Sequence, residues 1–141
     1  MRPLRLTRLW QSMGWIYVAL VIYYSLHPSP PELPGFQGAD KLVHLSVYAI
    51  MMLWFGFIYL PGPRLLLFGA FFVLLGTVLD LAQGATGYRS MELLDMISNA
   101  GGVCVGGLLA RTRVSSTLVW LEGRLYGGNG RGKNYRNFLS F

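Results

Sequence analysis

Nine polar side chains interrupt or flank apolar stretches of this chain, and their spacing sorts them into three groups: Asp40, Lys41 and His44; Asp80 and Gln83; Arg89, Glu92, Asp95 and Asn99. On a helix, residues three or four apart lie side by side. Asp40, His44 and Tyr48 therefore share one face, Thr77, Asp80 and Gln83 a second, and Glu92, Asp95, Asn99 and Gly102 a third. The chemistry such a set suits best is binding. Lys41 and Arg89 would contact anionic groups, while Asp80, Asp95, Gln83 and Asn99 would exchange hydrogen bonds with amines, hydroxyls or amides. Catalysis fits less well. His44 with Asp40 four residues earlier resembles a base and its orienter, and His44 with carboxylates is a donor set for a divalent ion. Yet no serine or cysteine nucleophile accompanies them, one histidine is thin for zinc, and no Gly-rich phosphate loop opens a helix. No catalytic residue, metal site or cofactor is expected. A purely architectural reading also exists: Asp40 would cap a helix, Asp95 would meet the positive end of another, and Arg89 would pair with Asp80 or Asp95.

The elements that must position these groups are apolar. Of the 141 residues, 53% are hydrophobic and only 13% charged, against about a quarter charged in an ordinary soluble domain. A bilayer core of about 30 Å takes roughly 17–25 helical residues, and four stretches qualify: about residues 9–26, 42–60, 65–83 and 93–110. Each ends where the chain cannot continue a helix cheaply, at His27-Pro28-Ser29-Pro30-Pro31, at Pro61-Gly62-Pro63, at Gly84, and at Arg111 with Arg113. The first stretch follows Arg2, Arg5 and Arg8 but is too long for a signal-peptide core and lacks a cleavage site. It reads as an uncleaved span. The expected fold is all-α: an integral membrane four-helix transmembrane bundle over residues 1–110. A cytoplasmic basic tail, residues 111–141, follows it. Within the tail, Leu118, Leu121 and Leu125 beside Arg124 suggest a short interfacial helix.

Orientation follows from the basic residues. Ten of the twelve Lys and Arg fall in the N-terminal tail, the turn at residues 61–64 and the tail after Ala110; Lys41 and Arg89 stand in the other two connections. Lys and Arg accumulate on the cytoplasmic side, so both termini are expected inside and the polar groups outside. At 1.5 Å per residue, His44, Asp80 and Asn99 then lie within about one to two turns of that outer surface. Trp10, Trp15, Tyr23, Tyr24, Tyr59 and Tyr88 fall near the interfaces, where aromatic rings anchor spans. Ser98, Gly102, Gly106 and Ala110 form a stripe of small residues suited to close helix packing, inside the bundle in preference to a homodimer seam. The net charge of +6 sits mostly at the ends of apolar runs, so lipid headgroups and not nucleic acid are the natural partners. Cys104, the single cysteine, reads as a small packing residue.

The same residues resemble a known family. D-K-L-V-H at Asp40–His44, D-L-A-Q at Asp80–Gln83, and R-S-M-E-L-L-D-M-I-S-N-A-G-G at Arg89–Gly102 are similar to the VanZ-like pattern. That pattern has an acidic residue and Lys before His, an acidic residue three before Gln, then Arg, Asp and Asn before Gly. The family commonly has Glu at the position of Asp80 and Asp at that of Glu92. The resemblance, over residues 40–107, implies a small multi-span protein of the bacterial inner membrane. The founding member of the family it resembles is associated with low-level teicoplanin resistance. The expected function is binding of a polar or charged cell-envelope lipid, a lipid-linked precursor or a glycopeptide at the exoplasmic face. The alternative is a non-catalytic accessory subunit packed against partner subunits of a membrane complex. A membrane-embedded metal or acid–base enzyme, or a proton-coupled carrier, ranks below both.

Overall fold

A computed structural model describes residues 1–27, 38–85 and 93–126, and every regular element among them is helical. Four long helices come first: α1 (Thr7–Leu26), α2 (Ala39–Ile58), α3 (Pro63–Ala85) and α4 (Leu93–Leu109). A 3-10 turn at Arg113–Ser116 leads into a short α5 (Thr117–Tyr126). The boundaries have local causes. Gly38 enters α2 at φ +85°, a conformation open to glycine at little cost, and Asp40 sits in the first turn where the helix dipole is positive. The chain leaves α2 in extended form at Tyr59, two residues before Pro61, which disfavours a return to helix at Leu60. Pro63 opens α3, where its missing N–H costs nothing. α4 tightens at its end, with Arg111 and Thr112 amides each bonding three residues back, at 3.0 Å.

α2 and α3 are each long and apolar enough to cross a membrane, and α4 makes a third candidate if it is taken together with the segment bent 71° from it, Arg113–Tyr126. α1 has the length, but Arg8, Gln11, Ser12 and its tyrosines dilute its apolar character. α4 alone has 17 residues, or about 26 Å.

The packing is inverted relative to a soluble domain. Interior positions hold Gly14, Gly56, Gly69, Gly76, Gly102 and Gly106 together with Asp80, Gln83, Asp95 and Asn99. The outer faces carry Leu9, Met13, Ile16 and Leu20 on α1, Leu66, Leu74 and Val78 on α3, and Leu94, Ile97 and Leu108 on α4. So continuous an apolar exterior marks a surface meant for something other than water. Phe55, Phe72, Met51, Met52 and Val103 fill the apolar centre.

α2 and α4 make the closest pair. A methyl group on Gly102 would strike the Leu45 carbonyl oxygen, and one on Gly106 the carbonyl oxygen of Ala49. Farther along, Ala110 fills the space that a side chain at Gly56 would need. Ser98 stands apart from this seam, half-buried, its hydroxyl bonded to the Leu94 carbonyl of its own helix.

The N-terminal arm and α5 meet at one end of the four helices. Arg2 is buried there: its backbone N–H donates to the Ile58 carbonyl at 2.9 Å, its Nε to that of Gly56 at 3.2 Å, and its guanidinium to the Ser115 hydroxyl. Burial lowers the pKa of that guanidinium below the usual arginine value. Glu122 on α5, 1% exposed, accepts from the Arg5 amide at 2.6 Å, the Leu6 amide at 3.0 Å and Trp10 Nε1 at 2.7 Å. Leu6 has no side-chain cap of its own, so a carboxylate more than a hundred residues away caps α1 and meets its positive end. The arm end of α1 thus adjoins the last turn of α2 and the chain beyond α4, so the four helices run up and down in alternation.

Glu122→Ala leaves three donors without this acceptor. It is expected to destabilise the protein by about 1–3 kcal/mol in detergent unfolding followed by tryptophan fluorescence, with Glu122→Gln intermediate because an amide offers one accepting oxygen. Equal stability of all three proteins would show that α5 adds nothing to α1.

Candidate functional site

At the opposite end, the last turn of α1, the first turns of α2 and α4 and the last turns of α3 converge. From α2, Lys41 Nζ lies 2.6 Å from Asp40 Oδ2 and 3.4 Å from Oδ1 of Asp95 on α4. One turn deeper, His44 Nδ1 is 3.0 Å from Asn99 Oδ1, and Asn99 Nδ2 donates to Asp80 Oδ2 of α3 at 2.8 Å. Gln83 Nε2 donates to the Ser25 carbonyl at 2.6 Å, satisfying an acceptor that the end of α1 leaves without a helical partner. Each long helix therefore contributes one link. Of the nine polar residues singled out by spacing, seven fall in this layer; Arg89 and Glu92 lie outside the described residues.

Helix spacing explains the convergence. Asp95, Asn99, Gly102 and Gly106 occupy one face of α4, and all four are buried. The two glycines bring that face against α2, and Gly76 leaves room on α3, where an added methyl would crowd both the Tyr48 hydroxyl and Asn99 Nδ2. Thr77 does not join the layer; its hydroxyl bonds back to the Val73 carbonyl of its own helix.

The amide of Asn99 fixes the proton on His44. A carboxylate oxygen accepts, so the amide must turn its NH2 to Asp80 and its carbonyl to the imidazole. Nδ1 of His44, assigned from this network, then carries the hydrogen and Nε2 is left as the acceptor of the neutral ring. Asp40, four residues before His44, is turned to Lys41 instead. Asn99 thus takes the orienting place that sequence spacing offered to Asp40. Among the described residues no three His, Cys, Asp or Glu side chains converge so as to hold a metal ion.

One buried oxygen in the layer has an ion pair but no hydrogen bond among the described residues. Asp95 is 5% exposed, yet its Oδ1 accepts no hydrogen bond among the described residues. Lys41 faces it at 3.4 Å, an electrostatic contact beyond good hydrogen-bond length, and is drawn to Asp40 at the shorter distance.

Sequence spacing had not singled out the second polar cluster, built from Arg2, Ser115 and Glu122 at the arm end. A signal for it existed: Glu122 is the one acidic residue in a tail otherwise rich in Arg and Lys. Comparison of the chain with protein-family models, with curated proteins and with solved structures gives no match.

The bridge through Asn99 makes its neighbours interdependent. In a double-mutant cycle of His44→Ala and Asn99→Ala, the coupling energy is expected to be about 1 kcal/mol, within the range for residues in one hydrogen-bond network. Additivity of the two substitutions to within about 0.3 kcal/mol would mean the contact carries no stability.

Proposed function

We propose that this chain is a four-span protein of the bacterial cytoplasmic membrane, of VanZ-like type. Its polar layer faces outward and binds the headgroup of an envelope lipid or a lipid-linked precursor. The observation that carries the binding reading is Asp95 Oδ1. A buried acceptor without a hydrogen bond costs up to about 1–3 kcal/mol, a cost that the Lys41 charge at 3.4 Å offsets in part and that a ligand N–H or O–H placed there would recover. Among the described residues the layer holds three carboxylates, Asp40, Asp80 and Asp95, against one amine, Lys41. An amine- or hydroxyl-bearing headgroup suits that balance. Arg89, in the adjoining connection, would take an anionic part of the same ligand, and His44 Nε2 offers one further acceptor.

Four crossings are supported by the outer faces of α1 and α4. Both expose aliphatic side chains although neither has the length and apolarity of α2 and α3. The contact of the N-terminal arm with α5 fits an even number of crossings, and the concentration of Arg at that end favours the cytoplasm for it. With Gly102 and Gly106 occupied against α2, an accessory-subunit role would have to use the outer leucine and isoleucine faces.

Two measurements test this reading. A fluorescent-protein fusion after Phe141 is expected to fluoresce, and an alkaline phosphatase fusion at the same point to stay inactive. The reverse pattern would place the polar layer in the cytoplasm. Native mass spectrometry of the purified chain with phosphatidylethanolamine, a lipid-linked cell-wall precursor and teicoplanin is expected to show retention of at least one. Asp95→Asn and Arg89→Ala should each weaken that binding about tenfold, or ~1.4 kcal/mol. Binding indifferent to both substitutions, or absent for all three probes, would sink the assignment.

A further inference from the structure

A second binding feature lies at the other end of the molecule, on the outer surface between α1, α3 and the end of α2. Met1, Trp15, Tyr59, Leu67, Phe68 and Phe71 line a slot of about 390 Å3 with Arg64 at one end. Arg64, Phe68 and Phe71 are spaced i, i+4 and i+7, so they run down one face of α3 over about 10 Å from its first turn. The charge therefore stands at the helix end and the rings stand deeper. No ion pair or hydrogen bond engages the Arg64 side chain among the described residues, and the side chain is exposed.

The walls are held in place. Trp15 packs edge-on against Phe55 at 5.4 Å and Phe71 at 6.1 Å, and Phe68 lies 4.9 Å from Tyr59. The Tyr59 hydroxyl is fixed by Gln11 Nε2 at 2.8 Å. Rings locked to one another leave the slot preformed, so an occupant need not order it first.

We propose that this slot binds an anionic phospholipid, one acyl chain lying between the rings and the headgroup phosphate on Arg64. The inference rests on the chain being embedded in a bilayer. Charge complementarity and depth select this occupant. One cation at the end of a helix, with an apolar trough continuing along it, repeats the order of a lipid: phosphate at the interface, hydrocarbon below. Arginine suits the phosphate because its planar fork matches two oxygens at once. The positive end of α3 adds to the attraction at the same level. A protein helix as occupant would need further polar partners, and among the described residues that line the slot Arg64 has the only charged side chain, with the α-amino group of Met1 as a second cation that reinforces its preference for an anion.

The test uses the full chain reconstituted in phosphatidylcholine vesicles. These contain a minor fraction of phosphatidylglycerol or phosphatidylcholine brominated on the acyl chain, which quenches tryptophan on contact. The contribution of Trp15 is the difference between the natural protein and Trp15→Phe. Brominated phosphatidylglycerol is expected to occupy the Trp15 site about fivefold more tightly than brominated phosphatidylcholine, the factor appropriate to one basic residue near an anionic group. Arg64→Gln should bring that ratio close to one, and Arg64→Lys should keep most of it. Equal quenching by the two lipids in the natural protein overturns the slot while leaving the membrane reading intact, and so does a preference that survives Arg64→Gln. No quenching of Trp15 by either lipid would overturn the embedding itself.

Discussion

The rest of the structure depends on how closely α4 approaches α2. Gly102 and Gly106 carry no side chain where the carbonyl oxygens of Leu45 and Ala49 stand, so the two backbones meet directly. Between helices whose exteriors are as apolar as their contacts, hydrophobic burial gives little reason to associate. Close backbone contact and internal hydrogen bonds supply the attraction instead. That approach sets every other distance along the pair. One turn toward the polar end from Gly102 lies Asn99, within reach of His44, and one more turn places Asp95 near Lys41. Toward the other end, Ala110 closes over Gly56, whose carbonyl accepts from Arg2. A larger side chain at Gly102 would lengthen all of these contacts together.

The two ends use polar groups differently. Around Glu122 both carboxylate oxygens are engaged, and three donors from the N-terminal arm and α1 converge on them. Buried networks of that kind rigidify when every member is satisfied. At the Asp95 end Lys41 stands between two carboxylates, and one buried oxygen accepts no hydrogen bond among the described residues. The contrast separates a clasp that fixes the chain from a layer with capacity left over. This is why the binding reading attaches to Asp95 and not to Glu122, although both are buried acids.

Much of this was legible in the sequence because it is periodic. Runs of apolar residues between proline and glycine gave helices whose observed bounds differ from the expected ones by only a few residues. The i, i+4 recurrence of Asp40 with His44 and of Asp95 with Asn99 brought them to one level. Spacing within a helix could not specify partners across helices. It offered Asp40 to His44, whereas the imidazole meets Asn99 and Asp40 turns to its neighbour Lys41. It read Arg2 as a charge that sets orientation, and the folded chain buries it between α2 and the 3-10 turn. Glu122 escaped notice because its partners are backbone amides over a hundred residues away, and backbone amides carry no sequence signature. Residues 86–92 and 127–141, which include Arg89, Glu92, Tyr88 and the end of the basic tail, lie outside the described residues.

The distribution of size follows from the same constraint. Where glycine is needed between α2 and α4, bulk must be placed elsewhere, and the large aromatic residues gather on α1, α3 and the far half of α2. Phe55 touches Trp15, Phe68 and Phe72, forming one connected set of rings beside the thin glycine seam. Part of this ring set is fully enclosed, with Phe55 and Phe72 at 0% exposure. Some of it faces outward, as Trp15 and Phe71 do. The outward rings line the slot beside Arg64, so the chain keeps its aromatic bulk away from the glycines whose close α2–α4 contact aligns the polar layer at the other end.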